Sequence, residues 1–296
     1  MAGSAHASST FSFNPNGTGA IGAIGGAGLL DQAAGSTLAV LGSGGGAALP
    51  VGTVLTNHYQ ANLSAVQTST TANLFSNGTG GNFFTFVATF TEVVISGSTA
   101  PGISGTNNFS ILGGTFKMCA QSALGNNLAG TGFSCAGNGI LSGTITGGNA
   151  TQTAFFPPFG NVGLLDQSGA DDWAGTQTLQ SSGGANLNAT INFVDAGYFP
   201  DLTAGVSFVL AAINSSLITP FNQVDPSRLF SSDTVANGNV AANVGPINGL
   251  TPGANFMFQS DANASFTDGV VPEPGSLALA GLALAGLSVL ARRKKQ

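Results

Sequence analysis

Along much of the chain, apolar and polar residues alternate with a period of two. Phe84, Phe86, Ala88 and Phe90 alternate with Thr85, Val87, Thr89 and Thr91. Leu187, Ala189, Ile191 and Phe193 alternate with Asn188, Thr190, Asn192 and Val194. Such runs put an apolar face and a largely hydroxyl or amide face on opposite sides of a strand. Shorter runs at 51–58, 109–118, 139–146, 205–213 and 254–260 predict further strands. Asn77-Gly78, Gly113-Gly114 and Asn138-Gly139 punctuate them as turns. No long helical stripe precedes residue 275. The expectation is an all-β body, an antiparallel sandwich or jelly-roll-like fold with Gly- and Asn-rich turns. That body spans 8–270, and its Gly- and Ala-rich start, 8–49, is expected to be partly flexible. Gly28-Leu29-Leu30-Asp31-Gln32 recurs as Gly163-Leu164-Leu165-Asp166-Gln167. The echo marks either two related halves or a chance match in a chain rich in these residues.

Composition changes this picture in two ways. Charged residues make up only 6% of the chain, against about 25% in a typical soluble domain. Hydrophobic residues reach 43% and include 21 Phe, each able to bury roughly 150–250 Å². The chain therefore has material for a core beneath a neutral polar surface. The charges that exist are segregated. Arg292, Arg293, Lys294 and Lys295 close the chain, and upstream only Lys117 and Arg228 face twelve acidic residues. Two cations cannot neutralise a phosphate backbone, so nucleic acid is excluded as a partner.

The C-terminal segment 271–296 is organised in three parts. Val271-Pro272-Glu273-Pro274 is followed by an uncharged stretch from Gly275 to Ala291, then by the basic cluster Arg292, Arg293, Lys294 and Lys295. As a helix the middle part would span roughly 25 Å, near the lower limit for crossing a bilayer. The basic end would stay in the cytoplasm and leave the body outside. An ordinary membrane anchor would need no Pro-Glu-Pro motif. The order of motif, apolar helix and basic end resembles the PEP-CTERM sorting domain of Gram-negative bacteria. The resemblance implies recognition by a membrane-embedded exosortase, transient anchoring in the inner membrane and removal of the anchor. At the other end, Ala5-His6-Ala7 before Ser8 fits a small-x-small cleavage site. Residues 1–7 are accordingly expected to be the remnant of a signal peptide whose true start lies upstream. In an exported chain Cys119 and Cys135 are expected to form a disulfide, closing a loop worth about 3 kcal/mol; two buried thiols are the alternative.

Candidate chemistry is sparse. The histidines are His6 and His58, and the glutamates are Glu92 and Glu273. No nucleophile elbow, His-Glu-x-x-His or phosphate loop is present. Catalytic residues are therefore expected to be absent, and the protein is expected not to be an enzyme. The densest acidic cluster, Asp166, Asp171 and Asp172 beside Trp173, is a weak calcium candidate against a solvated acidic turn. Trp173 could stack on a sugar or fill the core. Asp261 and Asn263 give a similar hint of calcium, and no other cofactor is expected.

Two further segments bear on function. Phe11-Ser12-Phe13-Asn14-Pro15 and Phe256-Met257-Phe258-Gln259-Ser260-Asp261-Ala262-Asn263-Ala264-Ser265-Phe266 resemble segments of flocculation-associated PEP-CTERM proteins. That resemblance implies association with exopolysaccharide in the extracellular matrix and aggregation of cells into flocs or biofilm. A self-assembling surface protein and a secreted polysaccharide-acting hydrolase are the competing expectations.

Overall fold

Each alternating run forms a strand in the computed structural model, which describes residues 10–42, 49–97, 105–127, 129–155, 180–214, 245–251 and 256–267. The strands are β1 (Phe11–Phe13), β2 (Ile24–Ala27), β3 (Leu29–Gln32), β4 (Gly35–Leu41), β5 (Val54–Gln67) and β6 (Asn73–Ser76). They continue as β7 (Phe83–Ser96), β8 (Gly105–Gln121), β9 (Gly139–Phe155), β10 (Gln180–Val194), β11 (Ser207–Asn214) and β12 (Phe256–Thr267). The Gly- and Ala-rich start expected to be partly flexible thus supplies four strands. Its Gly163–Gln167 echo lies outside the described residues, as do the expected membrane helix and basic tail. Among the described residues no helix is long and apolar enough to cross a membrane.

The sandwich expectation is corrected. β5, β7, β8, β9, β10, β11 and β12 pair antiparallel in chain order, and β12 pairs back onto β3 and β4, which both pair with β5. β3 and β4 together form one stave, so eight staves close into an up-and-down barrel. Closure removes the free edges that a sandwich would leave. Period-two patterning could not distinguish the two, because both bury one face of every strand. The barrel is sheared. A register line from Leu55 runs through Glu92, Ile111, Gly148, Leu187, Leu210, Ala264 and Leu30. It returns at Val66, eleven residues along β5 (66 − 55), one of them the bulged Ser64. Such stagger tilts the strands and sets the width of the interior.

Phenylalanine fills that interior. Phe116 stacks on Phe86 (5.6 Å between centroids, 8° between planes) and on Phe208 (4.6 Å, 11°). Gly143 makes room for the Phe116 ring, since a Cβ there would lie 2.5 Å from its Cε1. At the pole where β12 ends, the β1–β2 hairpin and the turn after β10 close the barrel. Phe11 and Phe13 are fully buried there against Phe199, Phe266, Phe75 and Phe84. The backbone of Asn14 bonds to Tyr198 and the Asp201 carboxylate accepts from Ser12 N. The two segments read as flocculation-like therefore meet in the core, with Phe11 4.7 Å from Phe266. A smaller cluster of Ala39, Leu49, Leu55, Val94 and Phe109 packs toward the opposite pole.

Candidate functional site: one bare wall and one covered wall

Because the apolar half of each strand faces the core, the polar half forms the outer wall. Register lines the polar residues up in rows across strands spaced about 4.8 Å apart. Thr89, Thr115, Thr144, Thr190 and Ser207 stand side by side on β7 through β11. Ser110, Asn149 and Asn186 form a second row, and Thr106 and Thr153 a third pair. Neighbours satisfy each other: Asn192 Nδ2 donates to Thr144 Oγ1 at 2.7 Å, and the Thr106 and Thr153 hydroxyls meet at 3.0 Å. Thr146 Oγ1 donates to the Asn188 carbonyl at 3.2 Å. Thr106, Thr115, Thr144, Asn149, Asn186 and Asn192 are solvent-exposed. Two exposed apolar side chains, Leu112 and Phe193, stand among them. Lys117 is the one Lys or Arg among the described residues. This wall is broad, carries a single charge, and is otherwise built of hydroxyls and amides.

The wall of β4, β5 and β7 carries Gln60, Asn62, Thr85 and Thr89 together with apolar Leu38 and Val87, and is covered. The segments 122–127 and 129–137 lie over it, bonded by Asn62, whose amide both donates to and accepts from Gly125. Gln121 Nε2 donates to Thr85 Oγ1. A further segment, 245–250, is pinned by Asn248. Its backbone N–H donates to Gln60 Oε1 at 2.6 Å, and its side chain donates to Ala88 O and Thr89 Oγ1, each at 3.0 Å. The segments 129–137 and 245–250 touch where Gly130, at φ +66°, packs against Pro246; a Cβ there would strike that backbone. Gln60 and Thr85 are consequently wholly buried although they point outward. The cover is tied down by a disulfide between Cys119 and Cys135, whose Cα atoms are 5.6 Å apart.

The buried and half-buried titratable groups stand apart, Glu92 in register with Leu55 near one end of β5 and Asp31 in register with Ala65 near the other. Glu92, on β7, points into the barrel and is 8% exposed. Burial pushes its carboxyl up to about 7, with the neighbouring Asn57 amide pulling the other way. That amide favours the charged form from nearby without reaching bonding geometry, and neither of its polar atoms has a hydrogen-bond partner. On the outer face Asp31 and Asn263 are register partners, with Asp261 next along β12. Burial raises both aspartates, and the charge on Asp31 raises Asp261 further. Asp31 accepts from Gln67 Nε2 at 3.1 Å. Asp261 and Asn263 each keep a buried Oδ1 without a donor. Among the described residues no three His, Cys, Asp or Glu side chains converge as metal ligands. His58 sits half-buried on β5, its titration lowered by burial, with Nδ1 3.5 Å from Thr89 Oγ1.

Asp166, Asp171, Asp172 and Trp173 lie outside the described residues, as do Val271, Pro272, Glu273 and Pro274 and the terminal Arg292, Arg293, Lys294 and Lys295. What sequence reasoning missed is Asn248. An Asn-Gly pair reads as a turn, and nothing local signals that its side chain spans to β5 and β7. The hydroxyl rows were present as the polar half of the alternating runs, but only the register assembles them into a surface.

Comparison with known proteins locates one feature. Residues 270–295 match the PEP-CTERM protein-sorting motif. No curated protein and no solved structure shows significant similarity to the chain.

Proposed function

Starting from a PEP-CTERM sorting-domain protein, one that exosortase sorts to the cell exterior after transient anchoring in the membrane, we propose that the barrel is a non-enzymatic matrix protein. It associates with exopolysaccharide through its bare wall and promotes cell aggregation. What supports this reading is the wall of β8, β9 and β10, with its rows of exposed Thr and Asn and a single cation. A sugar chain offers hydroxyls that both donate and accept, as this wall does. Exchange of such groups requires no desolvation of charge, whose cost would otherwise oppose binding. Each contact is weak, but rows repeated along one polymer add up through effective concentration. Leu112 and Phe193 supply apolar surface on which a sugar face can rest.

The test is co-sedimentation of the purified body with exopolysaccharide from the producing cells. The parent is expected to pellet with the polymer. Thr144→Glu with Thr190→Glu, which places two negative charges in one row, is expected to weaken retention at least tenfold with the fold intact. Equal retention of parent and variant overturns the assignment to this wall. Ordered oligomers of the body without polymer would favour a self-assembling surface protein instead. In cells, deletion is expected to disperse flocs while polysaccharide is still made.

A further inference from the structure

We propose that the pole closed by the N-terminal hairpin faces the membrane-embedded exosortase during sorting, with the opposite pole directed away from it. This rests on the sorting signal alone and is independent of the polysaccharide reading. The argument starts at the last strand. β12 is held on one side by β11 and on the other by β3 and β4, and its final register pair is Thr267 with Ser207. The chain therefore leaves a rigid wall at a fixed point, on the pole where Phe11, Phe13 and Phe199 plug the barrel. The matched motif begins at residue 270, and Pro272 follows Thr267 by five residues. Fully extended, five residues reach at most about 18 Å. The barrel itself, with 14-residue staves such as β5 and β7, stands roughly 35 Å tall at a strand rise of about 3.3 Å and a tilt near 40°. The tether is about half the height of the body, so an enzyme gripping the motif must meet the closed pole.

That pole presents a defined surface. Ile21, at the tip of the hairpin connection, is 86% exposed. A groove of about 400 Å³ opens between the hairpin and β6, lined by Pro15, Asn16, Ile24, Leu74 and Asn82 among others. Two carboxylates at this pole already serve the fold: Asp195 Oδ1 accepts from Gly197 N and Asp201 Oδ1 from Ser12 N, each at 2.8 Å. The face offered to the enzyme is thus mostly amide, hydroxyl and apolar, without a cation among its described residues.

The experiment puts a photo-reactive side chain at Ile21 or, on the opposite pole, at Val51, which is 62% exposed, in the full chain in its host. The Ile21 probe is expected to give an exosortase adduct at least five times as abundant as the Val51 probe. Equal labelling, as from a barrel lying on its wall, or no adduct from Ile21 overturns the proposal. A 20-residue Gly-Ser spacer after Thr267 is expected to cut the Ile21 adduct at least threefold while tail removal continues. An adduct unchanged by the spacer would show that the short tether does not create the contact, which also overturns it. Loss of polysaccharide binding would move neither readout.

Discussion

The two outer walls of the barrel both carry hydroxyls and amides, and these groups meet different fates. On β5 and β7, Gln60 and Thr85 are buried beneath 122–127, 129–137 and 245–250. On β8 to β10, Thr115, Thr144 and Asn192 stay in water. The row that begins at Thr89 crosses the boundary: Thr89 accepts from Asn248, and the next member, Thr115, is exposed. Position relative to the cover, rather than residue type, decides whether a hydroxyl stabilises the fold or is free for a partner. The interior does not follow the same division. Both halves keep polar groups inside: Glu92 and Asn57 in the covered half, and Asn107 in the bare half beside Phe109, Ile111 and Leu187.

Breaking the cover should therefore cost far more than altering the bare wall. Cys119→Ser with Cys135→Ser frees the loop across a separation of 16 residues. The expected loss is about 3 kcal/mol, read as a lower midpoint in denaturant, with Gln60 and Thr85 amides losing hydrogen-exchange protection. A midpoint unchanged within error would mean that Asn62 and Asn248 hold the cover unaided.

Glu92 sharpens the contrast by pH. Its folded value is raised to about 7 from an ordinary 4.5, so the native barrel holds the proton more tightly than the unfolded chain does. Stability from this group is complete below about 4.5, falls as pH rises toward 7, and is flat above. Two to three units correspond to roughly 3 kcal/mol. Asp31 and Asp261, both raised, add a loss of the same sign beginning at lower pH. Glu92→Gln is expected to be more stable than the parent at pH 8 and close to it at pH 4, by chemical denaturation at both. A variant no more stable at pH 8 would mean that water or a cation reaches the buried carboxylate.

How much of this was legible follows from what each signal encodes. Alternation at Phe84–Thr91 and Leu187–Val194 named strands and which residues face in, because one side of every strand is buried. It could not name the closure, since β12 pairing with β3 and β4 links residues more than two hundred positions apart. The strands of 11–41 were hidden because glycine is a poor strand former, and their order comes from Phe11, Phe13 and Leu30 packing into the barrel. The sorting motif was legible in full because it is a contiguous string. The walls were half legible: Thr and Asn read as an outward face, but burial of Gln60 and Thr85 depends on segments that arrive from 63 and 160 residues away in the chain.

Asn248→Ala is a gentler way into the cover. It removes two side-chain donations but leaves the backbone bond to Gln60 Oε1. The expected cost is about 2 kcal/mol, with exchange protection lost at Thr89 and retained at Gly125.

The smallest effect is the most discriminating, because it compares one residue type within one row. Thr89→Val and Thr144→Val keep a β-branched shape and strand preference while deleting one hydroxyl each. Beneath the cover, Thr89→Val leaves Asn248 Nδ2 with Ala88 O alone, at an expected cost of about 1 kcal/mol. On the bare wall, Thr144→Val releases Asn192 Nδ2 to water, so the expected change stays within about 0.5 kcal/mol. Paired thermal melts of the two variants measure the difference. If both cost the same, the cover contributes nothing that water does not, and the division between a structural wall and an available one fails. If only Thr89→Val is costly, the hydroxyls of β8 to β10 are dispensable for folding, which leaves them free for a ligand to engage.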